Sequence, residues 1–234
     1  MELPYWSCYC EENIHKACEI LQSDLKAVTS HILLYAVFVS SPTRAVPLFC
    51  QRSSHRDDGL VIWDYHVILI KVVDDDSYVL DFDTTILANN EQLNVRDGCR
   101  KVDFIPFAEY ADLTFHHSWS LPADLRRYFR VISSKDYLST FASDRSHMLV
   151  VDDSGGGRSK YGKAPPPWPQ ICGSKAYVAG IFMNIDNYIE MMREDTIFDH
   201  GMKYGEVFTE EQFLKRFLNP MDDTYSYQAI DRVG

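Results

Sequence analysis

The sequence predicts a mixed α/β fold of the α+β kind: a single domain built on a mainly antiparallel sheet. Three observations predict it. An amphipathic helical pattern lies near the start, several strand-length runs rich in β-branched and aromatic residues follow, and further helical patterns come late. The chain has 234 residues, of which 46% are hydrophobic and 13% aromatic, which suits one large core better than two small ones. No internal repeat is visible, so residues 1–234 are taken as one domain.

The elements follow in order. Residues 11–25 read as a helix, because Ile14, Ala17, Cys18, Leu21 and Leu25 form one apolar stripe. Ser7 is its expected N-cap, and Glu11 and Glu12 complement the positive end of its dipole. Leu33–Ser40 reads as a buried strand closed by Ser41-Pro42. Val61–Val73 and Tyr78–Thr84 read as strands joined by a four-residue hairpin loop, Asp74-Asp75-Asp76-Ser77. Tyr128–Ser133 is a fourth strand and Ala45–Phe49 a fifth. Residues 152–169, with Gly155-Gly156-Gly157 and Pro165-Pro166-Pro167, read as an exposed excursion ending in a stiff polyproline segment. Late helices are expected over Asn184–Arg193 and Glu210–Leu218, the second opened by the capping box Thr209-Glu-Glu-Gln212. Residues from about 220 to 234 read as a loose tail.

Composition narrows the function. A formal charge of −11 argues against nucleic acid as a partner, since a phosphate backbone demands a basic surface. No apolar stretch is long enough for a membrane span. The start, Met1-Glu-Leu-Pro-Tyr, lacks the pattern of a secretory signal, so a cytoplasmic address, with the nucleus as a second possibility, is expected. Six cysteines are too sparse for a disulfide framework. Cys8-Tyr9-Cys10 lacks the second close-set pair that a structural zinc site usually has, so no metal is expected. No heptad pattern or long exposed apolar run is evident, and a monomer is expected.

Helix periodicity separates two neighbouring cysteines. Extended backwards, the apolar stripe reaches Cys10, whereas Cys8 falls on the polar side with Glu11, Glu12 and His15. A thiol in the first helical turn feels the dipole and unpaired backbone N–H groups, which predicts a lowered pKa and an oxyanion hole. A free cysteine there also serves as a small buried hydrophobe. In Trp63-Asp64-Tyr65-His66-Val67-Ile68, strand alternation puts Ile62, Asp64, His66 and Ile68 on one face and Trp63, Tyr65 and Val67 on the other. On the next strand Asp81 and Asp83 share a face, and either carboxylate would orient His66 and stabilise its imidazolium. With the four-residue loop, Asp83 falls opposite Ile68, diagonal to His66, so register leans to Asp83; a tighter turn or a bulge would favour Asp81. Cysteine at a helix start, histidine on a strand and a carboxylate on the next strand form the order used by papain-like and transglutaminase-like enzymes.

Six segments carry a family resemblance: Ser7-Cys-Tyr-Cys-Glu-Glu-Asn13, Tyr35-Ala-Val-Phe-Val-Ser40, Val61-Ile-Trp-Asp-Tyr-His-Val67, Asp81-Phe-Asp-Thr84, Phe141-Ala-Ser-Asp-Arg-Ser-His-Met148 and Pro165-Pro-Pro-Trp-Pro169. In these the chain resembles the protein N-terminal glutamine amidohydrolases, the WDYHV-motif proteins. The resemblance implies an α-β-α sandwich with a papain- and transglutaminase-like core. It also implies deamidation of N-terminal Gln to Glu with release of ammonia, feeding the arginine branch of the N-degron pathway. It maps the triad onto Cys10, His66 and Asp81, against the register estimate, and calls for no metal or cofactor. The Gly-rich stretch near 155–163 and the tail after about 218 depart from the family pattern. Selection of a free N-terminus calls for an acidic group near the cleft, for which Glu11, Asp64 and Asp144 are candidates. Trp63, Phe141 and Ser143 join them as candidate substrate-binding residues, and the Phe141–Met148 run, with Arg145 and His147, is expected to line or brace the site. The same triad logic would serve a transglutaminase-like or protease-like enzyme, and a non-catalytic binder of N-termini is the alternative of another class.

Overall fold

The computed structural model describes residues 1–25, 32–86, 98–116, 121–151, 159–192, 197–198 and 202–219. Its centre is a six-stranded sheet. In chain order the strands are β1 (Ile32–Ser40), β2 (Tyr65–Val73), β3 (Asp76–Leu80), β4 (Ile105–Pro106), β5 (Tyr128–Ser133) and β6 (Glu206–Thr209). Their spatial order is β6-β5-β1-β2-β3-β4, with every neighbouring pair antiparallel. The helices are α1 (Cys10–Leu25), α2 (Phe107–Thr114), α3 (Ser134–Thr140), α4 (Ser174–Val178), α5 (Ile185–Ile189) and α6 (Glu210–Leu218).

The near-continuous apolar character of β1 and β2 follows from helices covering both faces of the sheet. On one face Ala36, Phe38, Val67, Leu69, Leu80 and Ile132 pack against Ile14, Ala17 and Cys18 of α1, Tyr137 of α3 and Tyr188 of α5. On the other, Val37, Val39, Ile68, Ile70, Val79 and Phe129 meet Phe107 and Tyr110 of α2 and Phe213 and Phe217 of α6. The sheet is thus the middle of three layers. Phe129 and Phe213 stack with ring centroids 4.0 Å apart across the second interface, and truncating either to Ala costs about 3–5 kcal/mol. None of the described helices is long and apolar enough to cross a membrane.

Several expectations are corrected. The β2–β3 loop is a two-residue turn, because Val73 pairs with Asp76; Asp74 takes the left-handed conformation that this needs (φ 51). Every partner on β3 therefore moves by two residues, and the register carried on from Leu69–Leu80 brings Asp81, not Asp83, opposite Ile68. The run Val61–Val73 breaks at Asp64: Val61–Trp63 leaves the central sheet to pair with Val46–Leu48. Alternation fails across this bend, and Trp63 reaches the face of His66. Ser7 does not cap α1; the helix starts at Cys10, and Asn13 N donates to Tyr9 O. Glu11, Glu12 and His15, read as a polar face, are buried. The expected helix Asn184–Arg193 contracts to α5, whereas α6 and its Thr209–Gln212 capping box stand as read. The short helices α2, α3 and α4 are additions to the expected elements. Within 152–169, Ser159–Tyr161 pairs with Leu149–Val151, the carbonyls of Lys163 and Ala164 accept from the Tyr9 and Trp6 side chains just before α1, and those of Pro166 and Trp168 accept from Arg145. Residues 152–158 and the tail from 220 lie outside the described residues.

Candidate active site

The bend at Asp64 sets up the site. Asp64 Oδ1 accepts from Tyr65 N (2.9 Å), and β2 then carries His66 into the layer beneath α2. His66 Nε2 lies 2.8 Å from Asp81 Oδ1, and both side chains are shut off from solvent. Asp81 sits just past the end of β3. Its Oδ1 also accepts from Asp83 N (2.9 Å), and its Oδ2 accepts from Tyr110 OH of α2 (2.8 Å) and Gln51 Nε2 (3.4 Å). Trp63 stacks on the imidazole (centroids 5.1 Å apart, planes at 19°), and its Nε1 donates to Gln51 Oε1. Burial pulls the His66 pKa down, but the Asp81 carboxylate outweighs it and the net shift is upward. Burial raises that of Asp81, yet the imidazolium and the donors around it leave the carboxyl below its ordinary value.

His66, Asp81 and Asp83 lie close enough together to suggest a metal site. The donor set argues otherwise: Asp83 Oδ1 already accepts from Tyr5 OH (2.9 Å) and Arg100 (3.1 Å), and both Asp81 oxygens are occupied. Three of the four carboxylate oxygens thus already accept from N–H and O–H donors, a donor set that does not fit a cation.

Cys10 is the first residue of α1 and is partly buried. Its thiol faces Glu11 Oε2 at 3.7 Å, and the backbone N–H of Val67, the residue after His66, points at its sulfur. The Nδ1 of His66 is buried with no hydrogen-bond partner. The expected lowering of the thiol pKa is not what this environment produces. Burial pushes it well up, Glu11 and Asp83 add to the rise, and only the Val67 N–H opposes them among the main influences. Cys8, by contrast, is exposed in the turn before the helix at φ 68.

A cleft of about 540 Å³ opens over Cys10. Of the sequence candidates, Trp63 and Asp64 line it, and Glu11 lies directly beneath the wall made by Tyr65 and His147. Phe141, Ser143 and Asp144 are not among its lining residues. Phe141 is core, packed on Phe38 and Tyr137; Ser143 Oγ accepts from Arg145 N, and Asp144 Oδ1 from Ser146 N. Their run reaches the cleft instead through His147 and Met148. Lining residues not singled out include Tyr5, Arg52, Arg100 and Lys163, which no local pattern would have drawn together. A second cavity of about 590 Å³, between Leu121, Arg127 and the start of α6, holds none of the candidate residues.

The model of the N-terminal glutamine amidase family matches residues 5–217. The chain belongs to that family. Proteins named protein N-terminal glutamine amidohydrolase are similar to it along most of their length. The one from Homo sapiens is 34% identical over 214 residues (91% of this chain, 87% of that protein). That from Drosophila melanogaster is 38% identical over 215 residues (91% and 87%), and that from Arabidopsis thaliana 33% over 192 residues (81% and 76%).

In this member of the N-terminal glutamine amidase family a buried brace fixes the start of α1. Arg145, in a left-handed conformation (φ 65), grips the Glu12 carboxylate through Nε (2.8 Å) and Nη2 (2.9 Å). It also donates to the carbonyls of Pro166 and Trp168, while Trp168 Nε1 donates to Glu12 Oε2 (2.6 Å). Tyr9 OH and Trp6 Nε1 hold the carbonyls of Lys163 and Ala164. The Pro-rich segment is thereby strapped across the residues that carry Cys10.

Proposed function

We propose that this chain hydrolyses the side-chain amide of an N-terminal glutamine on a protein or peptide, giving N-terminal glutamate and ammonia through a thioester on Cys10. The observation that carries this is the buried His66–Asp81 pair. Asp81 occupies Nε2 and leaves His66 Nδ1 without a partner, on the residue next to the one whose N–H faces the Cys10 sulfur.

In the first step the Cys10 proton passes to His66 Nδ1 as sulfur attacks the amide carbon. Backbone N–H groups in the first turn of α1, Cys10's own among them, hold the oxyanion. As the C–N bond breaks, the proton on Nδ1 goes to the departing nitrogen and ammonia leaves, with the thioester behind. Water then attacks the thioester carbon and gives a proton to Nδ1, and the expelled sulfur takes it back, leaving a side-chain carboxylic acid. Asp81 keeps the proton on Nε2 throughout and supports the imidazolium between transfers. Arranged this way, the core works as papain-like and transglutaminase-like enzymes do. The chain acts as a monomeric single domain without metal or cofactor in the cytoplasm or nucleus, and its product, N-terminal glutamate, passes to arginylation.

Incubation with a Gln-initiated peptide tests this. Release of ammonia and the mass gain of a Gln-to-Glu change are expected, with neither from the N-acetylated peptide nor from internal Gln. Incorporation of an added amine, or backbone cleavage, would overturn it.

A further inference from the structure

One buried carboxylate beside the nucleophile lacks the partners its neighbours have. Glu11 is wholly buried, yet only Oε2 is hydrogen-bonded, by Tyr65 OH (3.1 Å) and the Cys10 thiol (3.7 Å). Oε1 has no hydrogen-bond partner. On the cleft side His147 Nε2 lies 3.6 Å from it, itself without a hydrogen bond. The adjacent Glu12 shows the contrast, with Arg145 and Trp168 filling both oxygens. A buried carboxylate left half-satisfied is costly. This one lies behind a wall that includes Cys10, in a cleft that also carries Asp64 and Asp83.

We propose that Glu11 holds Cys10 in check until a cation enters the cleft, and that the α-ammonium of an N-terminal glutamine is that cation. This rests on the N-terminal glutamine assignment above. The groups around the sulfur all bear on it. Glu11 comes from α1, Tyr65 and the Val67 N–H from β2, Asp83 from beyond β3, Asp64 from the cleft mouth and Tyr137 from α3. Tyr9 and His147 complete the surroundings of Glu11. Burial and then the Glu11 carboxylate keep the thiol protonated at neutral pH. A substrate with a free amino terminus brings a positive charge fixed to its Cα, with only Cβ and Cγ between that atom and the reacting carbon. Its field offsets the three carboxylates, so the Cys10 proton moves to His66 Nδ1 when such a substrate is seated. An acetylated or internal glutamine fits the same amide into the site but brings no cation, and the thiol stays at rest. Glu11 acts through Cys10 and by drawing the α-ammonium into the cleft.

The test measures alkylation of Cys10 by iodoacetamide, a small neutral probe, with the modified residue located by peptide mass spectrometry. In Glu11→Gln the thiol should ionise at lower pH. Each unit of lowering raises the thiolate fraction tenfold and costs about a factor of three in nucleophilicity, so a shift of one to two units gives alkylation roughly three- to tenfold faster near neutral pH. In the same variant kcat/KM for a Gln-initiated peptide should fall and the gap to its N-acetylated form should narrow. Loss of activity together with a more reactive thiol is not what a merely structural residue would give. A folded Glu11→Gln variant with the wild-type alkylation rate and pH profile overturns the proposal. If that variant does not fold, Asp64→Asn, at the exposed mouth, should shift the profile the same way by less, and no shift there overturns it equally. Alkylation needs no substrate, so absence of ammonia release by the wild-type protein would sink the N-terminal glutamine assignment separately.

Discussion

His66 Nε2 and Asp81 Oδ1 meet at 2.8 Å with neither side chain open to solvent, and a two-residue turn is what brings them together. Had four residues closed the β2–β3 hairpin, Asp83 would have taken that place. The pair is further fixed by Tyr110 from α2 and by Trp63 above the ring, so three separate segments converge on one imidazole.

Replacing Asp81 and Asp83 separately by Asn tests which carboxylate serves His66. In Asp81→Asn the neutral amide cannot support an imidazolium, and kcat should fall about 10³–10⁴-fold. Asp83 is engaged with Tyr5 and Arg100 and makes no hydrogen bond to His66, so Asp83→Asn should cost about tenfold or less. Equal losses at the two positions would refute the assignment.

The two cysteines of Ser7-Cys-Tyr-Cys10 should separate cleanly in an ammonia-release assay. Cys10→Ala and Cys10→Ser should abolish turnover. Cys8 is exposed, with Ser7 Oγ 3.6 Å from its sulfur, and Cys8→Ala should retain most of the rate. A dead Cys8→Ala variant that still folds would show that the helix places the wrong thiol in the mechanism.

What is legible in the sequence is what local chemistry decides. β5 and α6 have the bounds that the residue pattern predicts, and β1 matches to within a residue, because β-branched runs and a capping box carry their own signals. The choice of Asp81 is not legible from the strands alone, since one turn of uncertain length shifts every partner. Burial of Glu11, Glu12 and His15 is illegible for another reason: the groups that cover or pair with them, Tyr65, Tyr137, Phe141, Arg145 and Trp168, come from far along the chain. The Phe141–Met148 motif points to the site, but its last residues line the cleft while Phe141 fills the core.

Arg145 is expected to govern stability more than any other single charge near the site. Arg145→Ala leaves Glu12 buried without its guanidinium, which costs about 3–5 kcal/mol and lowers Tm by about 10 °C for a chain of this size. Arg145→Lys should recover little, because one ammonium cannot grip both carboxylate oxygens and the carbonyls of Pro166 and Trp168 together. A thermal melt of Arg145→Lys close to the wild type would show that the brace is not needed.

His15 should make the fold acid-sensitive in a defined window. It packs against Tyr137 and Phe141, and its pKa falls to about 4, chiefly through burial. Glu19, 3.6 Å away, only partly offsets this. The unfolded chain takes up the proton near pH 6.5, whereas the folded one resists it until about pH 4. Stability contributed by the neutral ring is therefore complete above pH 6.5 and is lost as pH falls toward 4, by a total of about 3 kcal/mol. Urea unfolding of the wild type and of His15→Phe across that interval measures this. The variant should lose less stability between pH 6.5 and 4, while the carboxylate contributions common to both proteins cancel in the difference. Parallel curves for the two proteins would mean that His15 gains its proton without opening the core.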